Sequence, residues 1–353
     1  MKPKLLIAEF LLAEGLEELR DIVPEAYAMV RSAYYVFKNL TETYVLVNQS
    51  FKNLFEDVFT ISASQGFLDS LEKLSKNFDY VLLIAPPNEL IEASQIVGNE
   101  KILGPNIDVI KKFSLKDIGY GILKNISINV PNYIVLSNAN TKLCSLKKLN
   151  FPAIVKPVDS TGGLGAIFIR NSDRLEQAVK YSLEFSKVKR VIIQSFVEGI
   201  HGSLSVIADG ENVLFLTNNV QLIRFSSNGK VKYLGGIVYL RNKELYLKSL
   251  ELVSKIIAEI SGFRGYFGID VVWCSWEPYV VEVNPRITTS FVGLAKIFGE
   301  KLACLMFESL GEELCKGKAF PSNDVYVAFT KHDNRIILNE YRSLSDAFIA
   351  SLH

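Results

Sequence analysis

The segment Gly268-Ile-Asp-Val-Val-Trp-Cys-Ser-Trp-Glu-Pro-Tyr-Val-Val-Glu-Val-Asn-Pro-Arg286 has two β-branched runs around a short turn, the pattern of a β-hairpin. Symmetric pairing about Trp276 sets Asp270 opposite Glu282, with Asn284, Val272 and Val280 on the same face. Two opposed carboxylates repel. At ~5 Å and an effective dielectric of ~20 the cost is about 3 kcal/mol, and a cation would remove it. Ligands from Asp, Glu and Asn are oxygens, which favour a hard ion, Mg²⁺ (or Mn²⁺), of the kind usually shared with nucleotide phosphates. The other reading of this pattern is the polar side of a sheet facing water.

Upstream, Ile154-Val-Lys156-Pro is an apolar strand with one lysine, followed by the loop Asp159-Ser-Thr-Gly-Gly-Leu-Gly165. Successive backbone N–H groups in such a loop form a nest for phosphate oxygens, and a lysine beside it supplies a point charge. An ordinary glycine-rich hairpin has the same composition. The loop is no Walker A motif, because no Gly-Lys-Ser/Thr follows and the next element is a strand. Val191-Ile-Ile-Gln194-Ser-Phe196-Val197-Glu198-Gly is an apolar strand ending in polar groups, fit either for an adenine edge or for a plain buried turn. His201 reads as a turn or surface histidine.

Further out, residues 4–85 alternate short Val/Ile/Leu runs with amphipathic stretches, which predicts parallel βαβ units. Glu9 ends the first strand, where ligands of such sheets sit. No Gly-x-Gly-x-x-Gly follows a strand, so a dinucleotide fold is not indicated. From Phe151 onward short strands with Gly and Asn turns predict an α+β region with a largely antiparallel sheet. The fold class expected is thus an α/β N-terminal domain plus α+β domains. The boundaries expected are 1–103 for the first domain, 104–150 for a linker and helical segment, 151–198 for a small subdomain and 199–353 for a large one with a C-terminal extension. Residues 311–353 carry no readable motif.

The 353 residues are 49% hydrophobic and 22% charged, enough apolar mass for two or three domains. A net charge of +1 gives no general attraction to nucleic acid. Mean hydropathy is +0.20, yet no apolar run reaches membrane-spanning length. The start resembles no signal peptide, and the four scattered cysteines offer neither a disulfide framework nor a Cys-x-x-Cys zinc site. A reducing, cytoplasmic setting is expected.

The order of these motifs resembles the ATP-grasp superfamily across roughly residues 101–310: Lys116 after a linker, Val-Lys156-Pro, the glycine loop, Gln-x-Phe-Val-Glu-Gly, then Asp270 and Glu-Val-Asn-Pro-Arg286. Asn218-Asn-Val-Gln221, Tyr233-Leu-Gly-Gly236 and Asn284-Pro-Arg-Ile-Thr-Thr-Ser290 are similar to the branch that includes archaeal tyramine–glutamate ligases of methanofuran biosynthesis. The resemblance implies that Lys116 and Lys156 contact ATP phosphates. Ser160, Thr161, Gly162, Gly163 and Gly165 would close over them, and Gln194, Phe196, Val197, Glu198 and His201 would lie at the adenosine. Asp270, Glu282 and Asn284 would hold Mg²⁺, with Arg286 and Lys156 at the transferring phosphoryl group. The family's frequent Asp-Lys pair is Leu115-Lys116 here, and the acidic ribose contact of some relatives is altered near His201.

The implied activity is ADP-forming ligation. ATP phosphorylates a carboxylate, and an amine displaces phosphate from the acyl phosphate. Thr288, Thr289 and Ser290 are placed to hydrogen-bond the acceptor carboxylate, or to cap a helix beginning near Phe291, and Glu9 to hold an amino group. The partners implied are a small-molecule carboxylate, possibly of glutamate type, and an amine, with no nucleic acid or membrane; a monomer and a homodimer both fit. Two rivals are an ATP-grasp kinase and a non-catalytic nucleotide-binding protein. The latter predicts missing phosphate or metal ligands, and those residues are all present.

Overall fold

The computed structural model describes residues 2–16, 22–137, 149–315, 325–332 and 335–351. The N-terminal region runs β1 (Lys4–Glu9), α1 (Phe10–Glu14), α2 (Val23–Phe37), β2 (Glu42–Val47), β3 (Thr60–Ser62), α3 (Phe67–Leu74), β4 (Tyr80–Ile84) and α4 (Pro87–Val97). Its four strands are parallel, ordered β3-β2-β1-β4. Leu5 to Ala8 of the inner strand are fully buried, as expected of a strand covered on both faces. The three-residue β3 is too short to show a period in the sequence.

Helices α5 (Ile107–Ser114) and α6 (Lys116–Asn125) lead to the small antiparallel sheet. That sheet holds β5 (Tyr133–Leu136), β6 (Ala153–Pro157), β7 (Ile167–Ile169) and β8 (Val191–Ser195), ordered β5-β8-β6-β7, with α7 (Leu175–Glu184) against it. Thus part of the stretch read as a linker is a strand: Tyr133 pairs with Gln194.

The large sheet has order β13-β12-β9-β10-β11-β14-β15. Its elements are β9 (Ile200–Asp209), β10 (Val213–Phe225), β11 (Val231–Leu240), α8 (Lys243–Glu259), β12 (Arg264–Cys274), β13 (Glu277–Asn284), α9 (Ser290–Phe298), α10 (Glu300–Glu308), β14 (Tyr326–His332), β15 (Arg335–Tyr341) and α11 (Leu344–Ser351). The region without a motif therefore supplies two strands and a helix. The fold is an α/β parallel domain joined to α+β domains with antiparallel sheets.

One core runs from α2 through α9 and α10 to β14, with Phe37 and Phe307 in edge-to-face contact at 5.8 Å. Cys304 and Cys315, 11 residues apart, form a disulfide, a pairing that the scattered spacing had not suggested. The turn after α10 brings their Cα atoms to 5.6 Å. Among the described residues no helix is long and apolar enough to cross a membrane.

Candidate active site

The β12–β13 hairpin does set Asp270 opposite Glu282, by a route the sequence did not show. Its turn has two central residues, Ser275 and Trp276, with φ of 50° and 67°, so Cys274 pairs with Glu277. That register joins Val272 to Tyr279 and Val271 to Val280, correcting the expected Val272–Val280 pairing. The register then shifts between Asp270 and Val271, where Val281 is the extra residue of a β-bulge. The shift brings Asp270 level with Glu282.

Asp270 accepts hydrogen bonds from Gln221 Nε2 at 2.8 Å and Asn284 Nδ2 at 3.3 Å, and has no ion pair among the described residues. Withdrawal from water, with Glu282 adding its charge, pushes its carboxyl up to about 7. Glu282 pairs with Lys116 Nζ at 3.0 Å. Lys116 begins α6, and its Nζ also donates to the Ser160 carbonyl. Lys156 Nζ lies 3.4 Å from the Val281 carbonyl. Burial pulls Lys156 down to about 8, with Glu282 opposing and Lys116 reinforcing the shift.

Two cavities meet at this hairpin. The smaller, ≈ 160 Å³, is lined by Lys116, Lys156, Ser160, Gly162, Gly163, Gln194, Phe196, Val197 and His201, with Phe225 beside them. His201 packs tilted 5.9 Å from Phe196 and edge-on 6.3 Å from Phe225, and burial lowers its pKa. The histidine expected at a surface turn is thus part of an aromatic wall. The larger cavity, ≈ 420 Å³, holds Glu9, Thr161, Asn284, Arg286, Thr288, Thr289 and Ser290. Both cavities share Ser160, Gly162, Gly163, Gln221, Asp270 and Glu282.

Gly162 and Gly163 have φ of 63° and 78°, and a Cβ at either would meet nothing closer than 3.5 Å, so their backbone is open to the cavities. Gly165 lines neither cavity. Its φ is 74° and a Cβ there would lie 2.8 Å from Phe185 and Pro157, so it closes the base of the loop. Glu198 is exposed and also lines neither.

Around the larger cavity, Glu9 is buried and caps α1 by accepting from Leu12 N at 2.8 Å. Burial pushes it up to about 7, against the Leu12 and Leu11 amides and the Arg286 charge. Arg286 is held below the usual guanidinium range by burial, against the pull of Glu282, Asp270, Glu9 and Glu25. Thr289 is at the N-cap of α9 but makes no side-chain cap; its hydroxyl donates instead to Glu25 Oε2 at 3.3 Å. Thr288 Oγ1 lies 3.1 Å from the Tyr266 hydroxyl, and Ser290 Oγ 3.2 Å from Ser203 Oγ.

Residues 116–290 match the model of the ATP-grasp domain family. This stretch, just under half of the chain, is thus similar to the ATP-grasp domain. The tyramine–L-glutamate ligase of Methanocaldococcus jannaschii is 28% identical over 327 residues, which cover 89% of this chain and 91% of the relative. An ATP-grasp superfamily protein from Archaeoglobus fulgidus superposes with TM-score 0.68 at 24% identity, covering 96% of this chain and 99% of that one. The D-alanine–D-alanine ligase of Bacillus anthracis superposes with TM-score 0.63 at 19% identity, covering 88% and 97%. At these identities the two structures show the fold.

In and around these two cavities, sequence reasoning gave no role to Glu25, Tyr120, Phe225 or Lys331, and treated Gln221 and Tyr233 only as marks of resemblance. Glu25 lies in the first turn of α2, where a carboxylate reads as an ordinary favourable helix charge. Its pairing with Lys331 Nζ at 2.9 Å joins residues 306 apart, which no local pattern reveals. Gln221 had one available signal: a polar residue between Val220 and Leu222 in an apolar strand.

Proposed function

We propose that this protein is an ATP- and Mg²⁺-dependent ligase that activates a carboxylate as an acyl phosphate and joins it to an amine. The observation that carries the proposal is that Asp270 and Glu282 line both cavities. A nucleotide in the smaller and a carboxylate in the larger would meet at that pair.

The residues fit a hard cation. Asp270 is acidic, oxygen-donating, withdrawn from water and without an ion pair among the described residues, and Glu282 and Asn284 adjoin it. Bound there, Mg²⁺ (or Mn²⁺) would supply charge neutralisation for the phosphates. Lys116, Lys156 and the amides of Gly162 and Gly163 would hold the phosphate oxygens, with base and sugar between Gln194, Phe196, Val197 and His201. Arg286 would offset charge on the transferring group, the kind of fixed electrostatic help that phosphoryl transfer needs.

In the first step a substrate carboxylate oxygen bonds to the γ-phosphorus as the bond to ADP breaks. In the second the amine nitrogen bonds to the acyl carbon, phosphate leaves with the electron pair, and the nitrogen gives up a proton. Thr288, Thr289 and Ser290 offer hydroxyls to the carboxylate. Glu9 lines the larger cavity together with Leu11, Leu16, Ile22, Ala26 and Met29, a lining suited to an amine with an apolar body. A glutamate-type acid and an aryl-alkyl amine, the pair named for the M. jannaschii relative, are the first substrates to try.

Hydroxylamine tests the proposal. With ATP, Mg²⁺ and glutamate it should yield a hydroxamate and equimolar ADP. Arg286→Ala should depress this through kcat more than through the KM for ATP, because the contact strengthens as charge develops. ADP release with a stable phosphorylated product and no hydroxamate would make the protein a kinase.

A further inference from the structure

Tyr120, on α6 one turn after Lys116, is fully buried, and its hydroxyl touches two groups. Oη lies 2.8 Å from the Gln194 side-chain amide, at the atom placed as Oε1, and 2.7 Å from the backbone carbonyl of Val281, the bulge residue between Val280 and Glu282, which pair with Val271 and Asp270. A tyrosine hydroxyl has one proton and a backbone carbonyl can only accept. If the proton went to Gln194, two oxygens would face each other at 2.7 Å with nothing between them. The proton therefore goes to Val281, and Gln194 must present its NH₂ to Oη, the oxygen and nitrogen of an amide exchanging places by a flip.

We propose that Tyr120 is a positioning residue for base selection: the chain Gln194 Nε2–H to Tyr120 Oη–H to Val281 O holds the Gln194 carbonyl oxygen toward the smaller cavity, as an acceptor for an exocyclic amino group. Adenine carries such a donor on its edge, whereas guanine carries a carbonyl there that would face the Gln194 oxygen lone pair to lone pair. The arrangement is fixed in one direction. Tyr120 has its pKa well above 10, raised by burial and by the charges of Glu282 and Asp270, so it keeps its proton at every working pH. Its ring is locked by Tyr133, edge-on at 5.0 Å, and by the Lys156 ammonium 5.7 Å away. The same carbonyl that takes the Tyr120 proton is the one near Lys156 Nζ, so base selection and the phosphate lysine share an anchor at the bulge.

This inference rests on the nucleotide reading above and deepens it. The experiment is calorimetry with non-hydrolysable ATP and GTP analogues and Mg²⁺, which needs no substrate. Wild type should favour the ATP analogue by about tenfold or more, and Tyr120→Phe, which frees the amide to rotate, should cut that ratio by about tenfold. The side-chain NH₂ resonances of Gln194 give a second readout. They should be protected from exchange in wild type and lose protection in the variant, whatever the variant does to affinity. A folded Tyr120→Phe protein with an unchanged ATP-to-GTP ratio and unchanged Gln194 protection would overturn the proposal and leave the nucleotide site standing. Wild type that binds neither analogue would overturn the nucleotide reading and this inference together.

Discussion

Glu25 and Asp270 both line the larger cavity, and the protein treats them differently. Glu25, on the N-terminal wall, is neutralised by Lys331 and takes a hydrogen bond from Thr289. Asp270, on the hairpin wall, receives only amide hydrogens, although Glu282 opposite it adds to its pKa of about 7. Glu25, with Lys331 and Thr289 as its partners, is finished as structure. Asp270, beside Glu282 and hydrogen-bonded only to neutral donors, with the Lys156 charge opposing its upward shift, is stabilised further when a metal cation arrives. Glu9 is intermediate, with backbone amides for partners and Arg286 acting on it.

The largest effect that would sharpen this contrast is expected from Asp270→Asn. Turnover dependent on Mg²⁺ should fall at least about 100-fold, while thermal melting without metal should hold or rise because the repulsion is gone. Glu282→Gln should lose turnover alike, but it leaves Lys116, whose side chain is 4% exposed, without its carboxylate, and should melt earlier than Asp270→Asn. Wild-type turnover in Asp270→Asn would break the contrast.

On the other wall the balance should reverse. Lys331→Met leaves Glu25 without its cation and should cost about 1–3 kcal/mol in urea unfolding, a range discounted for partial exposure. Turnover should fall less than tenfold. A large loss of turnover with no loss of stability would move Glu25 into the substrate machinery.

Acidity gives a finer test. Asp270 and Glu9 both sit near 7, above their unfolded values. Between about pH 4 and 7 the unfolded chain releases these protons first, so metal-free stability should be highest at the acid end and fall as pH rises to about 7. Saturating Mg²⁺ should remove the share of that slope due to Asp270 and leave the share due to Glu9. Melting curves across this pH range with and without Mg²⁺ would read it directly; a slope untouched by the metal would place the ion elsewhere.

The smallest effect is expected at the loop's tether. Lys187 Nζ meets Glu89, and Asp159 accepts from Asn88, Ser186 and the Lys187 and Val188 amides. The Lys187 side chain is 66% exposed, so Lys187→Ala should change stability by less than about 1 kcal/mol. A larger loss would mean that this ion pair holds the glycine loop against α4.

Legibility followed the same divide. The hairpin wall was readable because its chemistry is local: Asp270, Glu282 and Asn284 lie within 15 residues of one another, and alternation along strands places them on one face. Even there the bulge at Val281 was hidden, since an extra residue in a strand leaves no mark when both neighbours are valine and glutamate. The N-terminal wall was not readable. Glu25, Lys331 and Thr289 come from three distant segments, and only the packing of α9 against both α2 and β14 brings them together. Strands β14 and β15 went unrecognised because neither alternates: β14 buries Val327, Ala328 and Phe329 in succession, and β15 buries none of its residues fully. Tyr120 belongs to no motif, and its role depends on counting protons between groups 74 and 161 residues away.

The central claim is that the carboxylate oxygen becomes bonded to the γ-phosphorus at the Asp270–Glu282 hairpin. The most direct measurement uses glutamate labelled with ¹⁸O in its carboxylates, with ATP, Mg²⁺ and tyramine, and mass analysis of the phosphate released. The account predicts one labelled oxygen in each phosphate, carried over when the acyl phosphate is broken by the amine. Unlabelled phosphate alongside amide product, or label recovered in AMP, would contradict it.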